Sequence, residues 1–362
     1  MMNKLLLLTN SIPEYRIPVY KKLGNYFNLT VAHYGKRAES IELNFNQLIL
    51  QPKKFGPFTY FKENIYQLAN DFDAVLAMGE LSVISYILLG FRHQRRFSLT
   101  FWGGDVSFSY TKRYDEDKRL DKIRFFLMNR ADSLVFYCNY PVNRYVKDGK
   151  IDPKKLFVAH NTIDIPEKIN IPEVKNYFLF VGTLYKAKKI YDLLNAYHET
   201  YKKIPDLQPL VIVGDGDEID TIKLWIKENE LNDHILLKGA IYDQNTLKVI
   251  FQNAICTISP GQAGLSVLNS MAYGVPFVTS RNAFTGGEIF NISNGINGFL
   301  YDGTVSTLSS IIEKLSRNPK VVYQLSIEAQ NYYFSNATLE LMVNGLVDSV
   351  MYALKKREEK SF

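Results

Sequence analysis

The chain has 362 residues, which is enough for about two domains that each bury an apolar core. Hydrophobic residues make up 46% and charged residues 22%, and this ordinary globular composition excludes a disordered or fibrous protein. The net charge of +6 is uneven, because residues 1–165 contain 24 Lys and Arg against 16 Asp and Glu. We therefore expect the basic first half to face an anionic partner, either nucleic acid or an anionic membrane surface.

Short apolar segments alternate with longer segments of helical periodicity along the first half. This alternation is typical of βαβ units and predicts a parallel sheet. Cys138 and Cys256 both lie within apolar segments, so we expect two buried free thiols rather than a disulfide bond. The longest apolar run, at 81–91, is too short to span a membrane. The strand-like segments are LLLLTN, LTVAHY, AVLAMG, SLTFWG, SLVFYC and LFVAHN.

The same alternation begins again after the polar segment 163–176, which contains two prolines and is the best linker. We therefore predict an α/β protein with two doubly wound, Rossmann-like parallel-sheet domains that face each other across a cleft. The predicted domains are residues 1–165 and 166–340. Residues 341–362 are expected to form a C-terminal helix that packs back on the first domain.

Three lysines follow the first strand of the second half, at Lys186, Lys188 and Lys189. A cluster at the carboxyl end of a strand, next to the free N–H groups of a helix, suits a diphosphate. A solvated basic turn has the same composition. The lysines alone therefore leave both interpretations open.

The segment 254–280 predicts a strand, a tight turn at Gly261 and Gly264, and a helix from about Leu265 to Tyr273. Unpaired N–H groups at the start of that helix would form a binding site for a phosphate. Beyond the next strand, a glycine pair precedes Glu288. Its carboxylate either contacts hydroxyl groups of a ligand or is an ordinary glutamate at a helix N-terminus.

Four segments, FVGTLYKAKKIYDLLNAY, LVIVGDGDE, 254–280 and NGINGFLYD, share an order and spacing with a known family. They resemble the nucleotide-binding domain of GT4-family (glycosyl transferases group 1) retaining glycosyltransferases of the GT-B fold. The resemblance covers roughly residues 156–345. NSIPEYRIPVYKKL at 10–23 is similar to the opening of the branches that assemble polysaccharide and lipopolysaccharide.

This resemblance implies a site for the diphosphate of a nucleotide sugar, with Lys188 matching the family's lysine. Thr183 stands where the family has arginine, and Lys186 is expected to compensate. The family's two glutamates fall on Gly261 and Asn269, so Glu288 and the Asn269 amide are expected to contact the sugar or ribose. The donor-binding residues implied are Gly182, Thr183, Lys186, Lys188, Gly214, Gly261, Gln262, Ala263, Gly264, Leu265, Ser266, Asn269 and Glu288.

The resemblance places the acceptor on the first domain, where WGGD at 102–105 occupies the position of a His-Gly-x-Asp strand end. Asp105 either contacts the acceptor, acts as a base or caps a helix, and Trp102 either stacks on a sugar or packs in the core. The expected catalytic residues are Lys188, Asp105 and Glu288. The expected acceptor-binding residues are Tyr15, Arg16, Trp102, Gly103, Asp105, His160 and Asn161.

The implied activity is transfer of a sugar from a nucleotide-diphosphate sugar to a glycan or polyprenyl-diphosphate-linked acceptor, with retention and without a metal or other cofactor. Arg92, Arg95 and Arg96 are expected to face an anionic membrane, with the protein peripheral on its cytoplasmic side. No recognition helix supports nucleic-acid binding. Two alternatives stay open: a GT-B epimerase or hydrolase, and a non-catalytic nucleotide-sugar-binding protein.

Overall fold

A computed structural model describes residues 2–36, 43–92, 94–104, 106, 114–165 and 167–360, with only the backbone of Lys360. The chain divides into two compact units. The described residues of the first unit lie within 2–106, 115–164 and 338–360, and those of the second are Tyr114 and residues within 165–337. The predicted fold class, two Rossmann-like α/β units, is confirmed by the sheets described below.

The first unit contains a seven-stranded parallel sheet with the strand order β3-β2-β1-β6-β7-β8-β9. Its central strand is the leucine run, which is buried because helices cover both faces of a parallel sheet. Strands β4 and β5 form a separate antiparallel hairpin. The elements are β1 (Lys4–Leu8), α1 (Ile17–Leu23), β2 (Asn28–His33), β3 (Asn46–Ile49), β4 (Pro52–Phe55), β5 (Phe58–Phe61), α2 (Ile65–Ala69), β6 (Ala74–Met78), α3 (Ile84–Ile87), β7 (Ser98–Trp102), α4 (Asp121–Met128), β8 (Ser133–Phe136), α5 (Asn139–Lys147) and β9 (Leu156–Val158).

The second unit contains a six-stranded parallel sheet with the strand order β12-β11-β10-β13-β15-β17. The strand order reverses between β10 and β13, and ligands bind at such switch points, beyond the carboxyl ends of the strands. The elements are β10 (Tyr177–Val181), α6 (Ile190–Tyr201), β11 (Leu210–Val213), α7 (Ile219–Glu228), β12 (Ile235–Leu237), α8 (Gln244–Gln252), β13 (Ala254–Ile258), β14 (Gln262–Ala263), α9 (Ser266–Ala272), β15 (Phe277–Ser280), β16 (Phe284–Thr285), β17 (Gly298–Tyr301), α10 (Val305–Arg317) and α11 (Pro319–Asn336).

The last helix, α12 (Leu339–Lys360), packs on the sheet of the first unit. Met342, Leu346 and Val350 of this helix share an apolar cluster with Leu5 of β1. A Cβ atom at Gly345 would lie 2.3 Å from the Val158 carbonyl oxygen, so glycine lets the helix approach the sheet closely. The first unit is therefore completed by residues that follow the second unit in the chain.

Both cysteines are buried free thiols, as the sequence predicts. Burial raises the pKa of the Cys256 thiol, because a low-dielectric environment disfavours the thiolate. In the described ranges, no helix is long and apolar enough to cross a membrane.

Candidate active site

At the switch point of the second unit, the loop after β10 lies directly against the turn after β13. The Gly261 N–H donates to the Lys188 carbonyl oxygen at 3.1 Å. A Cβ atom at Gly261 would lie 2.1 Å from the Ala187 carbonyl oxygen, which is far inside van der Waals contact. Glycine is therefore required at 261, and this packing leaves no room for the glutamate that the family resemblance places there.

Lys188 ends a short 3-10 helix, Lys186–Lys188, and its side chain turns into the unit. The residue is 9% exposed, and Nζ lies 5.7 Å from the centroid of the Tyr185 ring. No carboxylate of the described residues lies within ion-pair distance of Nζ. Burial lowers the pKa of Lys188, because the cation loses hydration that no counter-charge replaces. Lys188 is therefore a largely desolvated cation to which an anionic ligand would bind favourably.

The other residues of this loop are more accessible than Lys188. Thr183 and Lys186 are exposed, so neither side chain is held in place as Lys188 is. Gly182 and Gly214 follow the neighbouring strands β10 and β11, where their N–H groups donate to Val213 and Gly239. The predicted donor residues at 182–188 and 214 therefore share the carboxyl edge of one sheet.

The turn after β13 is fixed by side-chain hydrogen bonds. The Ser259 hydroxyl donates to the Gln262 carbonyl oxygen, and the Tyr185 hydroxyl donates to Gln262 Oε1, both at 2.8 Å. Ala263 pairs with Thr285 in the short β14–β16 ladder. The hydrogen bond between Tyr185 and Gln262 joins the turn after β13 to the loop that carries Lys188.

Helix α9 begins immediately after this turn, at Ser266. Among the described residues, no acceptor pairs with the N–H groups of Gly264 and Leu265. The Asn269 side chain, one turn further, is partly exposed and makes no hydrogen bond within the described part of the chain. The segment therefore presents polar groups that are available to a ligand, as the sequence pattern predicts for 264–269.

Glu288 is 8% exposed and opens a 3-10 helix, Glu288–Asn291. Its Oε2 accepts a hydrogen bond from the Gly286 N–H at 3.1 Å. The helix is capped by another residue, because Thr285 Oγ1 accepts from the N–H groups of Gly287 and Ile289 at 3.1 and 3.2 Å. Thr285 was not among the residues predicted from the sequence. Its position directly before a glycine pair could have indicated this capping role.

In the first unit, three predicted acceptor residues lie together at the carboxyl edge of the sheet. The Arg16 guanidinium lies 5.2 Å from the Tyr15 ring centroid and 5.0 Å from that of Trp102. Tyr137, which follows β8, adds a third ring at 5.2 Å. Tyr137 was not predicted from the sequence, although it directly follows the buried strand β8.

The other predicted acceptor residues of the first unit are Gly103, Asp105, His160 and Asn161. Asp105 lies outside the described residues. Gly103 and Gly104 both have positive φ, 69° and 70°, and a Cβ atom at Gly104 would lie 1.7 Å from the Gly79 carbonyl oxygen. This glycine pair therefore brings the ends of β6 and β7 together. His160 and Asn161 follow β9, and Asn161 Oδ1 accepts from the Thr162 N–H.

The three arginines predicted to face a membrane differ in exposure. Arg92 and Arg96 are exposed, and the Arg92 guanidinium lies 4.9 Å from the Tyr66 ring centroid. Arg95 donates to Asp132 at 2.7 Å, with only 14% of its side chain exposed. The cations accessible to a partner are therefore Arg92 and Arg96, while Arg95 is held within its own unit.

Comparison with known proteins identifies the family of the second unit. The family described as Glycosyl transferases group 1 matches residues 161–332, which is nearly all of this unit. The second unit of this chain is therefore similar to the glycosyl transferases group 1 family. This family consists of glycosyltransferase enzymes, and the match agrees with the resemblance seen in the sequence.

Two similar curated proteins are named as glycosyltransferases. Poly(glycerol-phosphate) alpha-glucosyltransferase of Bacillus subtilis is 25% identical over 234 residues, which cover 61% of this chain and 33% of that protein. The O-antigen chain mannosyltransferase of Salmonella typhimurium is 24% identical over 250 residues, covering 65% of this chain and 67% of the relative. The chain therefore matches about a third of the Bacillus protein and about two thirds of the Salmonella protein.

A solved structure shows the same GT-B fold. Anabaena HepE in complex with UDP superposes with a TM-score of 0.69 at 15% sequence identity. The match covers 96% of this chain and 99% of HepE. At this level of identity, the comparison supports the two-unit fold of the family over almost the whole length of the chain.

Proposed function

We propose that the protein transfers a sugar from a nucleoside-diphosphate sugar to a glycan or lipid-linked glycan acceptor in the assembly of a surface polysaccharide. The observation that carries this proposal is Lys188, a buried cation with no described carboxylate beside it at a switch point. A diphosphate supplies the missing negative charge, and the free N–H groups of Gly264 and Leu265 supply further donors.

We propose that the transfer retains the configuration at the sugar carbon. The bond between that carbon and the diphosphate oxygen breaks, and a bond to the acceptor oxygen forms on the same face. The acceptor proton passes to the departing diphosphate oxygen, so no side chain is needed as a nucleophile. The role of Lys188 is then to stabilise the negative charge that develops on the leaving group.

The donor nucleotide can be found by measuring thermal stability with UDP, GDP, dTDP, CMP and ADP. A ligand at about 100 times its dissociation constant adds roughly 2.7 kcal/mol to the free energy of unfolding. We expect one nucleotide to act strongly, and UDP is the first choice because HepE was solved with it. If none of the five raised the melting temperature, the proposed donor site would be abandoned.

A turnover assay with the identified donor distinguishes sugar transfer from the two alternative functions. The missing glutamates at Gly261 and Asn269 favour a non-catalytic nucleotide-sugar-binding protein, which would bind the donor and release no product. A GT-B epimerase or hydrolase would consume the donor without an acceptor. Transfer predicts nucleotide release that depends on added acceptor, and metal independence predicts the same rate in EDTA.

Glu288→Gln tests the proposed contact between this carboxylate and the donor. The amide can still accept from the Gly286 N–H, so the local turn is expected to remain folded. Loss of the charge should raise the KM for the donor about tenfold, the loss expected for a hydrogen bond to a charged group. Glu313→Gln on α10, whose partner is Arg317, is the control. Donor kinetics equal to the control would remove Glu288 from the site.

We propose that the first unit docks on an anionic membrane through Arg92 and Arg96. Exposed Leu88, Ile123 and Phe126 provide apolar side chains in the same unit. This combination of exposed basic and apolar groups suits a lipid surface, and it would place the protein peripherally on the cytoplasmic side.

Charge removal at these positions tests the docking. Each exposed arginine near an anionic surface contributes about 1 kcal/mol, so Arg92→Gln with Arg96→Gln should weaken binding to phosphatidylserine vesicles roughly 30-fold. Arg95→Gln should change vesicle binding little and should lower thermal stability, because the ion pair between Arg95 and Asp132 is lost. Equal vesicle binding by the double variant and the unmodified protein in a sedimentation assay would contradict the docking.

A further inference from the structure

Arg16 is a buried cation in the first unit whose neighbours are aromatic rings. The residue is 6% exposed, and its guanidinium lies 5.0–5.2 Å from the ring centroids of Tyr15, Trp102 and Tyr137. Its Nη1 donates to the Met342 sulfur at 3.3 Å. No carboxylate of the described residues lies within 4.0 Å of it. Aromatic faces stabilise a cation, but a guanidinium is permanently charged and its planar set of donors suits an oxyanion.

A second polar group, the indole N–H of Trp102, lies beside Arg16. Trp102 is 1% exposed, and its indole Nε1 is buried without a hydrogen-bond acceptor in the described part of the chain. Buried tryptophan N–H groups are ordinarily hydrogen bonded, because an unmade hydrogen bond is costly inside a protein. An indole N–H can only donate. Trp102 therefore lacks an acceptor and Arg16 lacks a carboxylate among the described residues, so one negatively charged acceptor would suit both.

The position of this cluster favours a ligand over a purely structural role. Trp102 is the last residue of β7, and Tyr137 follows the last residue of β8. Arg16 follows β1 and precedes α1. All three residues thus lie at or beyond the carboxyl ends of parallel strands, the edge at which such sheets bind ligands.

We propose that Arg16 and Trp102 bind a phosphate group of the acceptor substrate. This inference rests on the proposed function, in which the first unit binds the acceptor. Arginine binds phosphate through two parallel N–H donors, and the indole N–H adds a third. A phosphate in this subsite fixes the position of the acceptor relative to the unit, so its hydroxyl groups are presented in one orientation.

Trp102 provides the signal for a direct test, because the chain has only two tryptophans. Trp225→Phe removes the other, which lies on α7 of the second unit. In this background, glycerol 1-phosphate should change the Trp102 fluorescence in a saturable way, while glycerol at equal ionic strength should not. Arg16→Met should raise the dissociation constant for glycerol 1-phosphate at least about tenfold, as expected for losing hydrogen bonds to a charged group.

Two further variants complete the experiment. Arg16→Lys keeps the charge but loses the paired donors, so an intermediate dissociation constant is expected. Arg130→Met removes another arginine of the first unit that lies over a ring and should leave the titration unchanged. Each variant is compared with its background by circular dichroism and melting temperature. If Arg16→Met does not fold, the titrations of the Trp225→Phe protein and of Arg16→Lys decide the question.

The outcomes separate this proposal from others. Absence of a saturable response to glycerol 1-phosphate in the Trp225→Phe protein would overturn it, as would equal affinities with and without Arg16. If Arg16→Met weakened the thermal stabilisation by UDP to the same extent, the anion would be the donor diphosphate instead. If no nucleotide bound to any variant, the proposed function would fail, while the glycerol 1-phosphate titration would still judge the subsite.

Discussion

Lys188→Ala is expected to lower kcat for sugar transfer at least about 100-fold, the effect of removing one group that stabilises charge in a transition state. Lys188 is the buried cation of the donor loop, whereas Lys186 is exposed and its charge is screened by solvent. The control is Lys189→Asn, which removes a neighbouring charge at an exposed residue. Its φ of 53° is one that asparagine tolerates, so the loop is expected to keep its conformation.

The lowered pKa of Lys188 gives this prediction a pH dependence. The free protein loses the Lys188 charge at a lower pH than an ordinary lysine would, because the buried ammonium is poorly hydrated. Donor affinity should therefore be full at neutral pH and should fall as the pH rises through that lowered pKa. Lys188→Ala should lack this decline. A Lys188→Ala enzyme with nearly unmodified activity in a nucleotide-release assay would disprove the diphosphate role.

Gly261→Glu is expected to abolish donor binding, although it introduces the residue that the family resemblance places at this position. The new Cβ atom would overlap the Ala187 carbonyl oxygen, so the loop carrying Lys188 must move. Overpacking of this kind costs roughly 3 kcal/mol of unfolding free energy. For a unit of this size, that loss lowers the melting temperature by about 6–12 °C.

Gly264→Ala is the matched control for this experiment. The nearest atom to its new Cβ would be Gln262 Nε2, at 3.8 Å, which is ordinary contact. Its melting temperature should stay close to that of the unmodified protein. If Gly261→Glu instead kept its melting temperature and bound the donor more tightly, the glutamate would fit and the packing argument would fail.

Regular elements of the fold were predictable because their hydrophobic periodicity is strong. The helix expected at 265–273 is observed at Ser266–Ala272, and the buried strands β10 and β13 follow the predicted apolar segments. The hairpin of β4 and β5 was not predicted. Most of its residues are exposed, so no alternating apolar pattern marks it.

The arrangement of the site could be predicted only in part. Residue type and position after a strand were sufficient to select Glu288 and the cluster of Lys186, Lys188 and Lys189. The family resemblance singled out Lys188 within that cluster and Trp102. The contact of Gly261 with Ala187 could not be foreseen, because it joins loops from two distant strands. Burial of Arg16 was equally hidden, since arginine is mostly exposed and its aromatic neighbours come from separate parts of the chain.

The placement of α12 on the sheet of the first unit has a consequence for the order of folding. The residues of the second unit at 165–337 are continuous, so a ribosome has made all of them before it reaches Met342. During synthesis, the apolar face beneath α12 stays uncovered until nearly 180 further residues have been added after β9. We therefore expect the second unit to fold first. The sheet of the first unit completes its packing only after α12 has been synthesised.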